Sequence, residues 1–425
     1  MTDISVIGAG YVGLTTATGM VELGHRVVVA DVLPERVASL NRGELPIVEA
    51  GMQERLRAGL QSGALRFVLG ATTAVTDAEI HFLCLPTPPG DDGAADLSYV
   101  LAVAEEIRDA VPAGSIVVNK STVPVGTARL VAERIARDDI GVVSNPEFLR
   151  EGTALQDFLN PDRVVVGSWD EDAARRVAAL YDGLETEVLV TDARSSELIK
   201  YASNAYLATK LTFVNEMAEI CEELDADIHA VMNGMGLDRR IGTSYLSPGP
   251  GWGGSCFPKD TEALVHIAAS VDVEFDFLRN VIRLNHRHIG RVADKVRSLC
   301  GGSTADKRIA AWGLTFKAGT DDLRDSPAVA VLTLLTDDGA QITAFDPAIP
   351  APVEQLPGVA VAADPIEAAR GADALVVLTE WPDFAKVDLA ALADAMAEPN
   401  VVDARNLLDR EELAAHGFTV LGVGR

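Results

Sequence analysis

Five apolar runs punctuate the first 147 residues: "ISVIGAG" from Ile4, "RVVVAD" from Arg26, "IHFLCLP" from Ile80, "SIVVNKST" from Ser115 and "IGVVSNPE" from Ile140. Their length and β-branched content predict buried strands, and amphipathic segments of roughly 10–15 residues separate several of them. "RVVVGS" and "EVLVTD" follow as further strands. Strand and helix in alternation predict a parallel, doubly wound sheet. The pattern then changes. From about Ser195, "SSELIKYASNAYLATKLTFVNEMAEICEELDAD" contains neither glycine nor proline, and Leu198, Ala202, Ala205, Leu211, Val214, Met217, Cys221 and Leu224 recur at helical spacing. One long helix is predicted there, suited to linking two domains and pairing with its own copy in a second subunit. Near Asp306 the alternation restarts with "RIAAWGL", "QITAFDP", "ALVVLTE" and "NVVDARN", a second and smaller α/β domain.

A chain of 425 residues, 48% hydrophobic, can fill more than one core. No apolar run reaches the roughly 18 residues that a membrane span requires, and the N-terminus reads as a strand rather than a targeting segment, so a cytoplasmic protein is expected. The formal net charge of −27 argues against nucleic acid or an anionic membrane as partner. It leaves room for a small anionic substrate met by a few local cations. Cys84, Cys221, Cys256 and Cys300 form no CxxC pair and no zinc-like cluster, and "HRH" at His286–His288 reads as a solvated helix face, so no metal is expected.

The strongest motif is "VIGAGYVGLTTATGMVELGHRVVVAD". Gly8, Gly10 and Gly13 form G-x-G-x-x-G between a strand and a helix, a turn that brings backbone and a helix N-terminus to a pyrophosphate. Asp31 closes the next strand, where a carboxylate accepts from a ribose and repels a 2′-phosphate, which favours NAD over NADP. Three more strand ends carry polar groups: Thr87 in "CLPTPP", Ser121 and Thr122 in "NKSTVPVGT", and Glu147 and Glu151 in "SNPEFLREG". Each alone is an ordinary cap or turn; in series along one sheet edge they point to a ligand site. Lys200 and Asn204 lie one turn apart on the long helix, where a lysine is more often a snorkelling surface residue than a catalyst.

Cys256 sits in "SPGPGWGGSCFPKD", from Ser247 to Asp260, whose glycines and prolines exclude helix and strand and give the thiol a flexible backbone. That setting disfavours a core filler, and the absence of partners disfavours a disulfide or metal. A nucleophile remains, with Lys259 near enough to favour the thiolate. Beside NAD, such a thiol captures an aldehyde as a thiohemiacetal, which loses hydride to give a thioester that water cleaves. In the last domain, Lys317 and Arg324 in "LTFKAGTDDLRDSP" are placed to meet an anion at a helix N-terminus, and Arg405 follows another strand; simple surface charge is the competing reading.

Together, "GAGYVGL", "KSTVPVGT", "NPEFLREG", "SSELIKYASNAYLATKLTFVNE", "GPGWGGSCFPKD", "FKAGTDDLRDSP" and "TEWPDF" span the chain in one order. The sequence resembles the UDP-glucose 6-dehydrogenase branch of the nucleotide-sugar dehydrogenases, which also include GDP-mannose and UDP-N-acetylmannosamine enzymes. The resemblance implies an α/β fold of two Rossmann-like parallel-sheet domains, residues 1–194 for NAD and 304–425 for the UDP-sugar. A helical dimerisation region, residues 195–303, would join them and carry the cysteine loop. It implies two oxidations at C6 of the sugar, with two NAD⁺ and one water consumed, by a homodimer or larger assembly. Cys256 would be the nucleophile among Lys200, Asn204 and Asp260, with Lys200 stabilising oxyanions and Asp260 aiding proton transfer. Glu147, as base, and Thr122 would handle water. Cofactor contacts fall on Gly8, Gly10, Tyr11, Val12, Gly13, Asp31, Arg36, Thr87, Ser121, Thr122, Glu151, Lys259 and Arg324. Substrate contacts fall on Glu147, Phe148, Leu149, Lys200, Asn204, Tyr245, the loop from Ser247 through Gly249 to Gly253, Phe316, Lys317 and Arg405. Arg240 resembles an arginine lent to the neighbouring subunit. Trp252 stands where a smaller aromatic is common, a change that bears on loop mobility or sugar preference, and Ser255 before the cysteine matches the glucose branch. A single-oxidation 3-hydroxyacid dehydrogenase would leave Cys256 and the second α/β domain idle, and a non-catalytic binding protein would need neither the thiol nor Lys200. The same chemistry on GDP-mannose or a UDP-N-acetylhexosamine stays an alternative.

Overall fold

A computed structural model describes residues 1–90 and 93–425, which form two compact units: Met1–Ser203 with Glu262–Asp272, and Asn204–Thr261 with Val273–Arg425. In the first unit, β1 (Asp3–Ile7), β2 (Arg26–Asp31), β3 (Leu65–Leu69), β4 (Ile80–Leu83), β5 (Ile116–Asn119), β6 (Gly141–Ser144), β7 (Arg163–Gly167) and β8 (Glu187–Thr191) make one sheet, in the order β3-β2-β1-β4-β5-β6-β7-β8. Neighbours are parallel except at β6–β7, where Ser144 and Gly167 meet antiparallel. That step departs from the all-parallel sheet expected. The inner strands are apolar on both sides because helices cover both faces. Val6, Phe82 and Val118 point into one core and Leu83, Val117 and Val142 into the other. Burying a large apolar side chain completely, as at Phe82, contributes roughly 1.5–3 kcal/mol.

The second unit holds β9 (Arg308–Trp312), β10 (Gln341–Phe345), β11 (Ala360–Val361), β12 (Ala374–Val377), β13 (Asn400–Asp403) and β14 (Thr419–Gly422), all parallel in the order β11-β10-β9-β12-β13-β14. Val214, Ala218 and Cys221 of the long helix (Ala193–Leu224) share a core with Ile309, Val331 and Val376, as do Ile289 and Val292 of the helix Asp276–Leu299. Most of the central helical region is therefore built into the same unit as the last sheet. β3, β11 and β14 escape the sequence reading: each ends a sheet and is short or only partly covered. No helix among the described residues is long and apolar enough to cross a membrane.

Candidate active site

In the first unit the glycine turn leaves β1 and enters the helix Tyr11–Glu22, capped by Gly10 with no side-chain bond and no acid in its first turn. The positive end of that helix is left for an anion. A Cβ at Gly10 would meet nothing within 4 Å, so the backbone there is open to a ligand. A Cβ at Gly13 would lie 1.8 Å from the Gly8 carbonyl oxygen, so only glycine lets helix and turn pack so closely. At the end of β2, Asp31 accepts from Ala9 N and Leu33 N at 3.0 Å each, and Arg36 pairs with it at 3.2 Å. Tyr11 turns its hydroxyl away from the turn: it donates to Glu49 and accepts from Gly152 N at 2.5 Å. Burial comes first among the causes that raise its pKa, followed by Glu49. These features fit a dinucleotide, with Gly10, Tyr11 and Val12 offering backbone at the pyrophosphate and Asp31 at a ribose.

Along the same sheet edge, Ser121 Oγ donates to the Leu85 carbonyl at 2.7 Å and accepts from its N–H at 2.8 Å, and Thr87 Oγ1 donates to Thr122 O at 2.9 Å. Glu147, just past β6, bonds Lys200 Nζ at 2.8 Å, and the two side chains are 6% and 3% exposed. Its second oxygen accepts from Leu149 N at 2.6 Å. Burial opposes charge on Glu147, yet the field of Lys200, its hydrogen bond, the Leu149 amide and Lys120 outweigh burial and lower the pKa. The carboxylate is thus ionised. Lys200 is no snorkelling residue. Phe148 lies under two cations, Arg163 at 3.6 Å and Lys200 at 5.6 Å from its ring centre.

Sequence reasoning missed Lys120, which is buried and donates to Asn145 Oδ1 at 3.1 Å and Tyr181 Oη at 3.4 Å. Burial pulls its pKa down to about 8. Its place directly before Ser121, at the end of a strand whose residues are all buried, was the available signal.

In the second unit Cys256 immediately precedes the helix Phe257–Ala269, and its carbonyl accepts from Asp260 N at 2.9 Å. The thiol is half-buried, with Ser255 Oγ 3.6 Å from Sγ. Asp260, fully buried, takes Asn204 Nδ2 on one oxygen and Lys259 Nζ on the other, both at 2.6 Å. The Lys259 charge is therefore matched by Asp260, where the sequence reading directed it to the thiol. Arg324 forks onto Asp322 at 2.8 Å, and its carbonyl accepts from Gly254 N at 3.1 Å. Lys317 Nζ lies 5.7 Å from the centre of the Phe316 ring. Arg405 braces this corner, donating to Leu378 O at 2.8 Å and Phe316 O at 2.9 Å beside Glu380 at 3.0 Å. Tyr245 holds a φ of 60°, an unusual backbone for a bulky residue, with its ring 6.4 Å from that of Phe257. Arg240 forks onto Asp238 at the surface, its side chain 84% exposed.

The "HRH" reading needs correction. His286 and Arg287 are exposed, but His288 is buried and bonds Gly249 O at 2.8 Å. It sits on the apolar face of its helix with Asn285, Ile289 and Val292. The cysteine loop is likewise not the flexible backbone expected. Buried side chains hold it, Trp252 among them.

In the first unit, a glycine turn open to phosphate and a carboxylate at the end of the next strand define a dinucleotide-binding protein. The chain belongs to the UDP-glucose/GDP-mannose dehydrogenase family: residues 2–185 match its NAD-binding domain, 194–287 its central domain and 310–410 its UDP-binding domain. It is 44% identical to a UDP-glucose 6-dehydrogenase of Rhizobium meliloti, over 99% of each chain. It is 42% identical to one of Bacillus subtilis, over 100% of this chain and 98% of that one. Among solved structures, a UDP-glucose dehydrogenase of Pyrobaculum islandicum superposes with a TM-score of 0.91 at 38% identity, covering 100% of this chain and 98% of that one.

Proposed function

We propose that the chain oxidises UDP-glucose twice at C6, to UDP-glucuronate, consuming two NAD⁺ and one water. The observation that carries the reading is Cys256 at a helix start, one turn before an Asp260 that both Asn204 and Lys259 orient. Relatives named for the same substrate support it. Two NAD⁺, bound in turn, would supply the hydride acceptors, the first for the step that turns the C6 alcohol into the aldehyde. The Cys256 thiolate, favoured at the positive end of the helix, adds to the C6 aldehyde and keeps it from escaping. Loss of hydride from that tetrahedral carbon leaves a thioester, and water then cleaves the C–S bond, giving the acid and the thiol. Lys200 serves the negative oxygen, a contribution worth about 3–4 kcal/mol in comparable oxyanion sites. Glu147, held ionised, accepts a hydrogen bond from the attacking water with Thr122. Phe148, Leu149, the loop Ser247–Gly253, Phe316, Lys317 and Arg405 bind the sugar nucleotide.

The functional division follows as residues 1–194 for NAD, 195–303 for the thiol and 304–425 for the nucleotide, which the three matched family segments support. The assembly is a homodimer through the long helix, with Arg240 lent across it, and four unbridged thiols suit a cytoplasmic setting. An NADH assay over UDP-glucose, GDP-mannose and UDP-N-acetylhexosamines tests the reading. Two NADH per UDP-glucose, with no free aldehyde and turnover abolished in Cys256→Ala, is the expected result. One NADH per sugar, or full turnover by the variant, would refute it.

A further inference from the structure

The segment from Ser247 to Gly254 contains four glycines and two prolines, yet it lies largely buried without helix or strand. Buried peptide groups need partners, and with no ladder the partners must be side chains or other loops. They come from two helices. Asn215 Oδ1, on the long helix, accepts from Gly249 N at 3.1 Å. His288 Nε2, on the helix Asp276–Leu299, bonds Gly249 O at 2.8 Å. Asn285, one turn earlier, takes both sides of a single residue: its Oδ1 accepts from Trp252 N and its Nδ2 donates to Trp252 O, each at 2.9 Å. The indole of Trp252 donates to Thr212 Oγ1 at 2.8 Å, and that hydroxyl donates on to Ala208 O at 2.9 Å. Gly254 N then bonds Arg324 O at 3.1 Å, and a Cβ at Gly253 would fall 1.9 Å from Asp325 O.

A carbonyl only accepts, so His288 carries its proton on Nε2 and donates. Burial drives its pKa down to about 4, so the ring is neutral in this role at ordinary pH. Asn215, Asn285 and His288 are all buried and approach the loop from the helices behind it. Two residues past Gly254 comes Cys256, so whatever fixes Trp252 and Gly254 also fixes where the thiol begins its helix.

We propose that Asn285, His288 and Asn215 are positioning residues: they hold Gly249 and Trp252 so that the loop is a preformed wall of the sugar-nucleotide site and Cys256 is set before substrate arrives. None of the three touches substrate; they act through the loop. The role in turnover rests on the function proposed above, but the clamp itself does not.

Two measurements separate the two claims. Hydrogen exchange of the peptide covering Gly249–Cys256, in the full-length protein without ligand, reads the clamp alone. Slow exchange in wild type, quickened at least tenfold in Asn285→Asp, is expected; exchange at the unprotected rate in wild type overturns the proposal. Steady-state kinetics with UDP-glucose and NAD⁺ reads the consequence. In Asn285→Asp the carboxylate cannot donate to Trp252 O, so kcat should fall at least tenfold and KM for UDP-glucose rise several-fold. KM for NAD⁺ should stay within about twofold. His288→Gln keeps a donor for Gly249 O and should retain most activity, whereas His288→Leu should lose it. Should Asn285→Asp fail to fold, the histidine pair decides: equal kinetics for His288→Gln and His288→Leu would overturn the proposal. So would a folded Asn285→Asp with wild-type kcat and KM. A wild-type enzyme inactive on every nucleotide sugar would instead refute the function and leave the exchange result to judge the clamp.

Discussion

Glu147 and Lys200 form a buried ion pair whose contribution to stability can be measured apart from the chemistry proposed for it. Each is nearly inaccessible, and each needs the other's charge. Glu147→Gln leaves a buried ammonium stripped of its carboxylate, a loss typically of about 3–5 kcal/mol. The double variant Glu147→Gln with Lys200→Met removes both charges and should recover most of that stability in urea titrations, yet remain inactive. A double variant no more stable than the single would show that the pair is not the source of the cost. Asp31 offers a second residue-scale test. Its partner Arg36 is the residue type that accommodates a 2′-phosphate once a competing carboxylate is gone. Wild type should turn over with NAD⁺ far better than with NADP⁺, and Asp31→Ser should narrow that gap at least tenfold in kcat/KM. An unchanged ratio would place the ribose elsewhere. Asp31 and Cys256 stood out in the sequence as candidates because each breaks its local pattern, whereas Lys200 gained its expected role from the family resemblance. Asn285 and His288 were not, because polar residues between arginines read as surface. Phasing the helix from Leu278 through Val281 to Ile289 places both on the buried side.

At the scale of elements, the long helix does more than connect. Three residues before Lys200, its Glu197 accepts from Gly126 N at 2.5 Å and Ala128 N at 2.7 Å, capping the helix Thr127–Ile135 from a distance. The same bonds tie down the loop that carries Ser121 and Thr122. Burial raises the Glu197 pKa from 4.5 to about 7, against the two amides and Arg194, with Asp192 adding to the rise. Between those values the folded state keeps a proton that the unfolded chain has released, so its stability falls as pH climbs through the window and levels off above it. The full span corresponds to about 3 kcal/mol. Glu197→Gln cannot ionise and carries only a constant offset, so the advantage of wild type over the variant should shrink by about that amount between pH 4.5 and 7.5. Parallel pH curves would show that Glu197 titrates normally. Such a cap lies outside sequence reading, since donor and acceptor are some seventy residues apart. The inner strands were legible for the opposite reason: burial on both faces writes a continuous apolar run.

At the scale of the whole chain, both units reuse one scheme: a glycine with positive φ after the first strand, Gly8 or Gly313, and a carboxylate at the end of the second, Asp31 or Asp346. Asp31 accepts from Ala9 N at 3.0 Å, and Asp346 accepts from Leu314 N at 2.7 Å. Asp346 also takes Thr315 N and Oγ1 and Trp381 Nε1 on one oxygen, so it is committed to structure where Asp31 keeps capacity for a ligand. The long helix adds a feature that neither scheme explains. Tyr206, Phe213 and Ile220 are 66, 48 and 47% exposed at a seven-residue spacing that keeps them on one side, an apolar stripe that a second copy would cover. Pairing must overcome charge, since each chain carries −27 and two copies together carry twice that. Repulsion over this range is screened once the Debye length drops from about 30 Å at 0.01 M salt to about 10 Å at 0.1 M. The proposed dimer should therefore be complete at 0.5 M NaCl, with Kd weakening at least tenfold as salt is lowered toward 0.01 M. Phe213→Asp combined with Tyr206→Asp should sediment as a monomer at either salt, because the stripe then bears new charge and no apolar gain. An association that weakens as salt rises would mean that ion pairs, not the apolar stripe, hold the subunits together, and a wild-type monomer at 0.5 M NaCl would remove the pairing altogether.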